Sequence, residues 1–216
     1  MAENYQLKLD KELAHIAEKN NRPRLLLHVC CAPCSSYVLE YLNQYFEITV
    51  LFYNPNISPK SEYDYRAQEL QRLTEELPLT IPVSCRISDY DPSAFLALAK
   101  GLENEPEGGA RCTACYRLRL TETAKIAAAE GYDYFTTSLS ISPLKDAVRL
   151  NAIGGELSAE HGIPYLYSDF KKRDGYKRSI QLSNEYKLYR QDYCGCPFSK
   201  AEAAARKASS PETERK

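Results

Sequence analysis

Residues 25–34 have the sequence LLLHVCCAPC, which predicts the first unit of the fold. Leu25 to Cys30 is a short apolar run that follows Pro23 and has the length of a buried strand. Pro33 stands where the first turn of a helix would begin. The stretch therefore predicts a strand, a turn and a helix, with three cysteines where the strand meets the helix.

Strand-sized and helix-sized segments continue to alternate along the chain. Further strands are predicted at 48–53, 82–87, 132–138 and 165–167, and helices at 61–76, 91–100, 112–130 and 144–160. About five strands separated by helices predict a mostly parallel, doubly wound sheet with helices on both faces. We therefore expect a Rossmann-like α/β domain over 24–200, an N-terminal helical extension over 1–23 and a flexible tail over 201–216.

The composition is that of an ordinary globular protein and excludes several other classes. The chain has 216 residues, of which 44% are hydrophobic and 26% charged, with a formal net charge of −1. These values exclude a disordered, collagen-like or coiled-coil chain. No apolar run reaches the length of a transmembrane helix, and residues 1–20 lack the apolar region of a signal peptide. We expect a cytoplasmic protein that does not bind membranes.

The eight cysteines are the unusual feature of the composition, and seven of them are grouped. The groups are Cys30, Cys31 and Cys34, then Cys112 with Cys115, and Cys194 with Cys196. Cys85 stands alone in a predicted strand and is expected to be a core residue. In a cytoplasmic protein, clustered cysteines more often serve metals or redox chemistry than permanent disulfides.

The positions of the first two groups favour a metal site. Both are predicted at helix starts, where backbone N–H groups favour the thiolate form that metals bind. In open parallel sheets, ligands bind beyond the carboxyl ends of the strands, which is where the first group is expected. Four thiolates from two segments suit either tetrahedral zinc or an iron–sulfur cluster, and their spacing alone does not choose between them.

Cys194-Gly195-Cys196 is a different kind of motif. A disulfide across a single residue is strained and easily reduced, and glycine at the middle position permits the unusual backbone that it needs. The alternative is that both sulfurs bind a second metal.

Three weaker features complete the set of candidates. Residues 171–178 carry five basic side chains and a tyrosine, which suits contacts with RNA phosphates and bases, although such a run is often a solvated face. His28 is expected to be a packed histidine rather than a ligand. Ser138, Ser140 and Ser142 follow a predicted strand and are candidate substrate contacts.

Five segments in order resemble the QueH type of epoxyqueuosine reductase. They are Leu27-His28-Val29-Cys30-Cys31-Ala32-Pro33-Cys34-Ser35, Tyr53-Asn54-Pro55-Asn56-Ile57, Arg111-Cys112-Thr113-Ala114-Cys115-Tyr116-Arg117-Leu118-Arg119, Thr137-Ser138-Leu139-Ser140-Ile141-Ser142-Pro143 and Tyr189-Arg190-Gln191-Asp192-Tyr193-Cys194-Gly195-Cys196. The resemblance covers about residues 24–200. It implies a fold similar to the PP-loop (HUP-like) nucleotide-binding domains, without their Ser-Gly-Gly phosphate loop.

The resemblance also implies an activity, which is the reductive removal of the epoxide oxygen of epoxyqueuosine, as water, at the wobble position of tRNA. The expected partners are this tRNA, held by the segment 171–193, and an electron donor. By position, Cys30, Cys31, Cys112 and Cys115 are the expected ligands of a [4Fe–4S] cluster, and Cys194 with Cys196 the expected redox-active pair.

Members of the family are expected to hold an additional iron near the cluster. Its candidate ligands here are Cys34, Asp169 and the sulfurs of Cys194 and Cys196, so the redox-pair and second-metal hypotheses compete. Two other functions remain open. One is a zinc-stabilised, non-catalytic tRNA-binding module, and the other is a dithiol oxidoreductase that acts on proteins.

Overall fold

A four-stranded parallel sheet forms the centre of the computed structural model, which describes residues 3–19 and 21–209. The strands are β1 (Arg24–His28), β2 (Glu47–Phe52), β3 (Ser84–Ile87) and β4 (Tyr134–Thr137). Their order is β3-β2-β1-β4, and every pairing between neighbours is parallel. The chain therefore builds outward from β1 in one direction and returns to its other side with β4.

Helices connect the strands and cover both faces of the sheet. In the described part of the chain they are α1 (Tyr5–Glu18), α2 (Ala32–Leu42), α3 (Lys60–Glu76), α4 (Ser93–Ala99), α5 (Ala110–Ala129), α6 (Ala147–His161), α7 (Gly175–Glu185) and α8 (Pro197–Ser209), with a 3₁₀ helix at Ser138–Ile141. This confirms the prediction of a Rossmann-like α/β fold. None of these helices is long and apolar enough to cross a membrane.

The side chains of β1 point alternately to the two faces of the sheet, and the apolar core is divided into one layer on each face. Leu25 and Leu27 belong to the layer that α1, α2 and α3 cover, whereas Leu26 belongs to the layer that α5 and α6 cover. All three leucines have no exposed surface. A strand buried on both faces reads as a continuous apolar run, which is why this segment was recognisable in the sequence.

The predicted fifth strand at 165–167 is not a strand of the sheet. Tyr165 makes only an isolated parallel bridge with Phe135. Beyond Tyr165, side chains rather than a neighbouring strand bond the backbone. Thr136 Oγ1 donates to the carbonyl of Leu166 at 2.8 Å, and the Asn151 amide bonds both the N–H and the carbonyl of Ser168. These bonds replace a ladder and end the pairing after one residue.

Two segments near the C-terminus form helices that were not among the helices predicted from the sequence. α7 lies within the polar region 171–196 and packs against α2. α8 includes residues 201–209, which were predicted to be part of the tail. Ala203 is buried in this helix, and Glu202 pairs with the buried Arg111. Residues 210–216, the rest of the predicted tail, lie outside the described residues.

The carboxyl end of β1 lies at the topological switch point of the sheet. The strands that follow β1 continue toward β3, whereas β4 lies on the opposite side of β1. Connections on either side of such a point leave a crevice between them, and ligands of open α/β sheets bind there. The first cysteine group follows β1 directly, in the turn between β1 and α2.

Candidate functional site

Seven of the eight cysteines line one cavity of about 190 Å³ at this switch point. They are Cys30, Cys31, Cys34, Cys112, Cys115, Cys194 and Cys196. All are free thiols. The fold therefore brings together three groups that lie about 80 residues apart in the sequence.

The first group is the tightest cluster of sulfurs. The Sγ atoms of Cys30 and Cys31 lie 3.7 Å apart, and those of Cys30, Cys31 and Cys34 all lie within 4.8 Å of one another. Adjacent side chains diverge in a regular strand, but β1 ends at His28 and the backbone turns before α2. Cys31 occupies the N-cap position of α2 without making a side-chain capping bond, so its sulfur remains directed to its neighbours.

Hydrogen bonding within this group shifts the pKa values of its three thiols in different directions. Bonds from Cys30 and Cys34, together with the nearby charge of Arg66, hold the pKa of Cys31 well below its usual value. The hydrogen bond with Cys31 and burial raise the pKa of Cys30 to about 11, and hydrogen bonds with Cys30 and Cys31 raise the pKa of Cys34 well above its usual value. Metals bind cysteine as the thiolate, so a metal that binds this group displaces protons from it.

Cys112 and Cys115 reach the cavity from the first two turns of α5. Their side chains are 8% and 7% exposed, and the backbone N–H of Gly108 donates to Cys112 Sγ at 3.2 Å. Burial raises the pKa of Cys115. These two sulfurs are not part of the group of three that lie within 4.8 Å of one another, but they line the same cavity.

Cys194 and Cys196 lie in a loop that the rest of the site holds in place. Their Sγ atoms are 3.6 Å apart, and Gly195 between them has φ +114°. The Gly195 carbonyl accepts from Ser58 N at 3.0 Å, and Cys194 N donates to Ser199 Oγ at 2.9 Å. Hydrogen bonding with Cys196 lowers the pKa of Cys194 to about 5 and raises that of Cys196.

Three cations with little exposed surface have pKa values that respond to the sulfurs. The side chain of Arg66 is 2% exposed, Arg119 is 4% exposed, and the side chain of Lys145 is 10% exposed. Burial alone would lower their pKa values, but the negative charge of a neighbouring cysteine, when it is ionised, raises all three: Cys31 does so for Arg66, Cys115 for Arg119, and Cys194 for Lys145. Buried charges of one sign need partners of the other, so this arrangement fits a thiolate-bound, negatively charged metal group.

Arg66 and Arg119 also connect the parts of the site to each other. Arg66 pairs with Glu62 at 2.8 Å and donates to the Cys194 carbonyl at 3.1 Å. Arg119 donates to Asn54 Oδ1 at 3.2 Å, and the Asn54 amide donates to the Val29 carbonyl at 2.8 Å. Arg119 therefore ties α5, which carries the second cysteine group, to the end of β1, and Arg66 ties the loop of the third group to α3.

The sequence missed these cations and also Asn56, which lines the same cavity. A signal existed for Arg119 and Asn56, because both lie in the segments that resemble the family. Arg66 had no such signal. Its spacing of four residues from Glu62 is typical of an exposed ion pair on a helix surface.

Asp169, a candidate ligand of the additional iron, and Cys85, the expected core cysteine, are both separate from the cavity. The carboxylate of Asp169 pairs with Lys171 Nζ at 2.5 Å and borders a different depression, next to Glu3 and Asn4. Cys85 is partly buried and packs against the core on β3. The structure thus groups Cys34 with the other sulfurs but does not bring Asp169 to them.

His28 is a packed histidine, as its sequence context indicated. Its Nδ1 lies 2.9 Å from Thr137 Oγ1 and its Nε2 lies 3.2 Å from the Tyr53 carbonyl. Burial lowers its pKa to about 3. The neutral ring therefore links β1 to β4 and to the end of β2.

The serines that follow β4 divide between core and cavity. Ser142 lines the cavity, but Ser140 is buried beside Ser168, at 3.1 Å between the two Oγ atoms. Ser138 is also fully buried. The 3₁₀ turn of Ser138–Ile141 replaces the alternation of a strand, so Leu139 and Ile141 face the cavity instead.

Comparison with known proteins gives one family. A family model described as Epoxyqueuosine reductase QueH matches residues 25–202. A relative with that name from Staphylococcus epidermidis is 44% identical over 200 residues, which cover 91% of this chain and 84% of the relative. One from Streptococcus pyogenes is 43% identical over 205 residues, covering 92% and 80%. One from Thermotoga maritima is 32% identical over 181 residues, covering 81% and 89%.

Proposed function

The chain belongs to the epoxyqueuosine reductase QueH family, and on this premise we propose that it reduces epoxyqueuosine at the wobble position of tRNA to queuosine. In this reaction the two C–O bonds of the epoxide break, a C=C bond forms, and the oxygen leaves as water. It consumes two electrons and two protons. The observation that carries the proposal is the convergence of seven cysteines on one cavity in a chain of this family.

The proposed cofactor is a [4Fe–4S] cluster held by Cys30, Cys31, Cys112 and Cys115. When bound, such a cluster supplies electrons one at a time at a potential set by the surrounding charge and hydrogen bonds. The donor set supports this assignment, because the four thiols line one cavity and buried cations face them. Cys34 is the nearest further thiol and is the proposed ligand of an additional iron. We leave Asp169 out of that set because Lys171 holds its carboxylate elsewhere.

Cys194 and Cys196 are the proposed redox-active pair. Oxidation of the Cys194 thiolate and the Cys196 thiol to a disulfide releases two electrons and one proton. The two electrons are those that the epoxide reduction requires, and water supplies the second proton. The lowered pKa of Cys194 keeps it as the thiolate, which is the reactive form of the side chain. An external electron donor then reduces the disulfide and completes the cycle.

The cations of the cavity have two proposed roles. Lys145 faces Cys194 and forms an ion pair with Glu107 at 3.0 Å, so its ammonium group stabilises negative charge that develops on the epoxide oxygen. Arg66 positions the loop of the cysteine pair through its bond to the Cys194 carbonyl. Leu139, Ile141 and Pro143 supply an apolar part of the wall that excludes water.

The proposed macromolecular partner is a tRNA whose modified wobble base enters this cavity. Tyr176, Arg190 and Tyr193 line the cavity and come from the tyrosine-rich basic segment 171–193. Aromatic rings and guanidinium groups stack on splayed single-stranded bases, which suits an anticodon loop. The proposed location of the reaction is the cytoplasm.

The metal assignment is tested by iron content and colour. Protein purified without oxygen should be brown and contain about four or more irons per chain. A Cys112→Ser/Cys115→Ser variant should lose this iron, whereas Cys85→Ser should keep it, because Cys85 lies outside the cavity. A colourless protein with one tightly bound zinc would instead support a zinc-stabilised module.

The activity is tested on tRNA that carries epoxyqueuosine. With a strong low-potential reductant, the anaerobically purified protein should convert the wobble nucleoside to queuosine, measured by mass spectrometry of digested tRNA. Cys194→Ser should bind the same tRNA with far slower turnover, because one thiol cannot form the disulfide. Retained tRNA binding with no turnover by the wild-type, iron-loaded protein would refute the enzymatic assignment.

A further inference from the structure

Two buried asparagines lie two residues apart after β2, and their amide groups are in opposite situations. Asn54 is 1% exposed and uses both ends of its amide: Nδ2 donates to the Val29 carbonyl, and Oδ1 accepts from Arg119. Asn56 is 2% exposed, and its Oδ1 has no hydrogen-bond partner among the described residues. The hydrogen bonds of Asn54 give it a structural role, whereas the buried Oδ1 of Asn56 has no such role among the described residues.

The backbone around Asn56 is held on both sides. The N–H of Ile57 donates to the Asn54 carbonyl at 3.1 Å, which closes a turn with Pro55 at its second position. Ile57 has no exposed surface, and the N–H of Ser58 donates to Gly195 at 3.0 Å. A turn fixed in this way does not release Asn56 to find a partner in solvent.

The Asn56 side chain borders the thiol cavity. Cys30, Cys34, Arg66 and Cys194 line the same space. Buried polar atoms almost always have a hydrogen-bond partner, and one that has none calls for an explanation. A volume of about 190 Å³ exceeds what one water needs, so the cavity that Asn56 helps to line is large enough for part of a ligand.

We propose that Asn56 is a substrate-positioning residue whose Oδ1 accepts a hydrogen bond from a hydroxyl group of the bound nucleoside. The inference rests on the proposed function, and it assigns recognition of the epoxide-bearing ring to this amide. A neutral donor fits better than an ammonium group, because Arg66, Arg119 and Lys145 already place positive charge around the cavity. The amide thereby distinguishes the modified side chain of the base from an unmodified guanosine.

The test is a binding experiment without turnover. Anaerobically purified protein, with no reductant, is titrated with an anticodon stem–loop that carries either epoxyqueuosine or guanosine at the wobble position. Wild type should bind the modified stem–loop more tightly. Asn56→Leu should reduce this preference about tenfold, the effect of one buried hydrogen bond, and leave binding of the guanosine form unchanged. Asn56→Asp keeps the acceptor and should retain most of the preference.

Asn54→Leu is the matched control within the same turn. It leaves the Val29 carbonyl and the Arg119 guanidinium without partners, so it should lower the melting temperature by several degrees. Asn56→Leu removes an amide whose Oδ1 has no partner in the described part of the chain. Its melting temperature and iron content should therefore equal or exceed those of wild type.

The outcomes separate this inference from the proposed function. If wild type neither prefers nor reduces the modified substrate, the proposed function fails, and this inference fails with it. If wild type does both and Asn56→Leu keeps the full preference, only the inference is overturned. A loss of iron, or a fall in melting temperature like that of Asn54→Leu, would also overturn it, because Asn56 would then hold the metal or the fold.

Discussion

Tyr63 on α3 shows how a single buried hydroxyl ties the helix next to the site to the sheet. Its side chain is 3% exposed, and its hydroxyl donates to the Ser88 carbonyl at 2.5 Å. Its ring packs edge-on against Phe52 at the end of β2, with 4.9 Å between the ring centres. Arg66 lies one turn further along the same helix, so a helix held by Tyr63 also holds Arg66 over the cysteines.

The burial of Tyr63 predicts a defined sensitivity to alkali. Desolvation raises its pKa to about 12, whereas in the unfolded chain the value is about 10. Between pH 10 and 12 the folded state keeps a proton that the unfolded state has lost, so the free energy of unfolding falls as the pH rises through this window. Tyr63→Phe should lower that free energy by about 1 kcal/mol at pH 8, where only the hydrogen bond is lost. Between pH 8 and pH 11, the free energy of unfolding of Tyr63→Phe should fall by about 1 kcal/mol less than that of wild type.

The measurement is urea unfolding of the two proteins at pH 8 and pH 11. Tyr65→Phe is the control, because Tyr65 is on the same helix and is 46% exposed. Tyr65→Phe should change neither the free energy of unfolding at pH 8 nor its decrease between pH 8 and pH 11. Equal alkaline losses for wild type and Tyr63→Phe would contradict the assigned environment of the phenol.

At the residue scale, the sequence identified the sulfurs of the site but not its charges. Cysteines are rare enough that seven grouped ones stand out in any chain. An arginine on a polar helix looks the same in sequence whether it points to water or to a cavity. Arg66 is buried because the loop of Cys194 lies over α3, and that contact joins residues 128 positions apart. No local pattern carries such information.

At the scale of elements, predictions from local signals succeeded and predictions from pairing were less accurate. α2 begins next to Pro33, and α6 ends at Gly162, which has the left-handed conformation that glycine favours (φ +66°). The prediction of a fifth strand was wrong because the backbone of that segment bonds to the side chains of Thr136 and Asn151, and hydrophobic periodicity does not reveal such bonds.

The contact of α6 with the segment after it gives a prediction at this scale. A Cβ added at Gly154 would lie 2.4 Å from ring atoms of Tyr165, which is itself 5% exposed and packs against Phe135. Gly154→Ala should therefore destabilise the protein by about 1–3 kcal/mol, although alanine is the better helix former by about 1 kcal/mol. In a Tyr165→Leu background the same change should cost less or become stabilising. Thermal or urea unfolding of the four proteins measures this, and an equal cost in both backgrounds would show that the ring is not the obstacle.

At the scale of the whole molecule, the net charge of −1 conceals how the basic side chains are distributed. Residues 171–178 contain five cations, but three of them have acidic partners in the structure. Lys171 pairs with Asp169, Arg173 with Asp10, and Arg178 with Glu40. Two of these acids lie more than 130 residues earlier, so the sequence overstated the charge that this segment presents to a nucleic acid.

The remaining cations of this segment, Lys172 and Lys177, are exposed and have no ion pair within the described residues, so the salt dependence of tRNA binding should rest on them. Each contact with a single-stranded phosphate contributes about 0.7 to the slope of log K against log salt. Lys172→Ala/Lys177→Ala should therefore reduce the slope by about 1.4 in magnitude for an anticodon stem–loop, measured between 50 and 200 mM salt. Arg173→Ala/Arg178→Ala removes the same formal charge from paired positions and should reduce it much less. Equal effects of the two double variants would mean that the ion pairs open on binding and that the whole segment contacts phosphates.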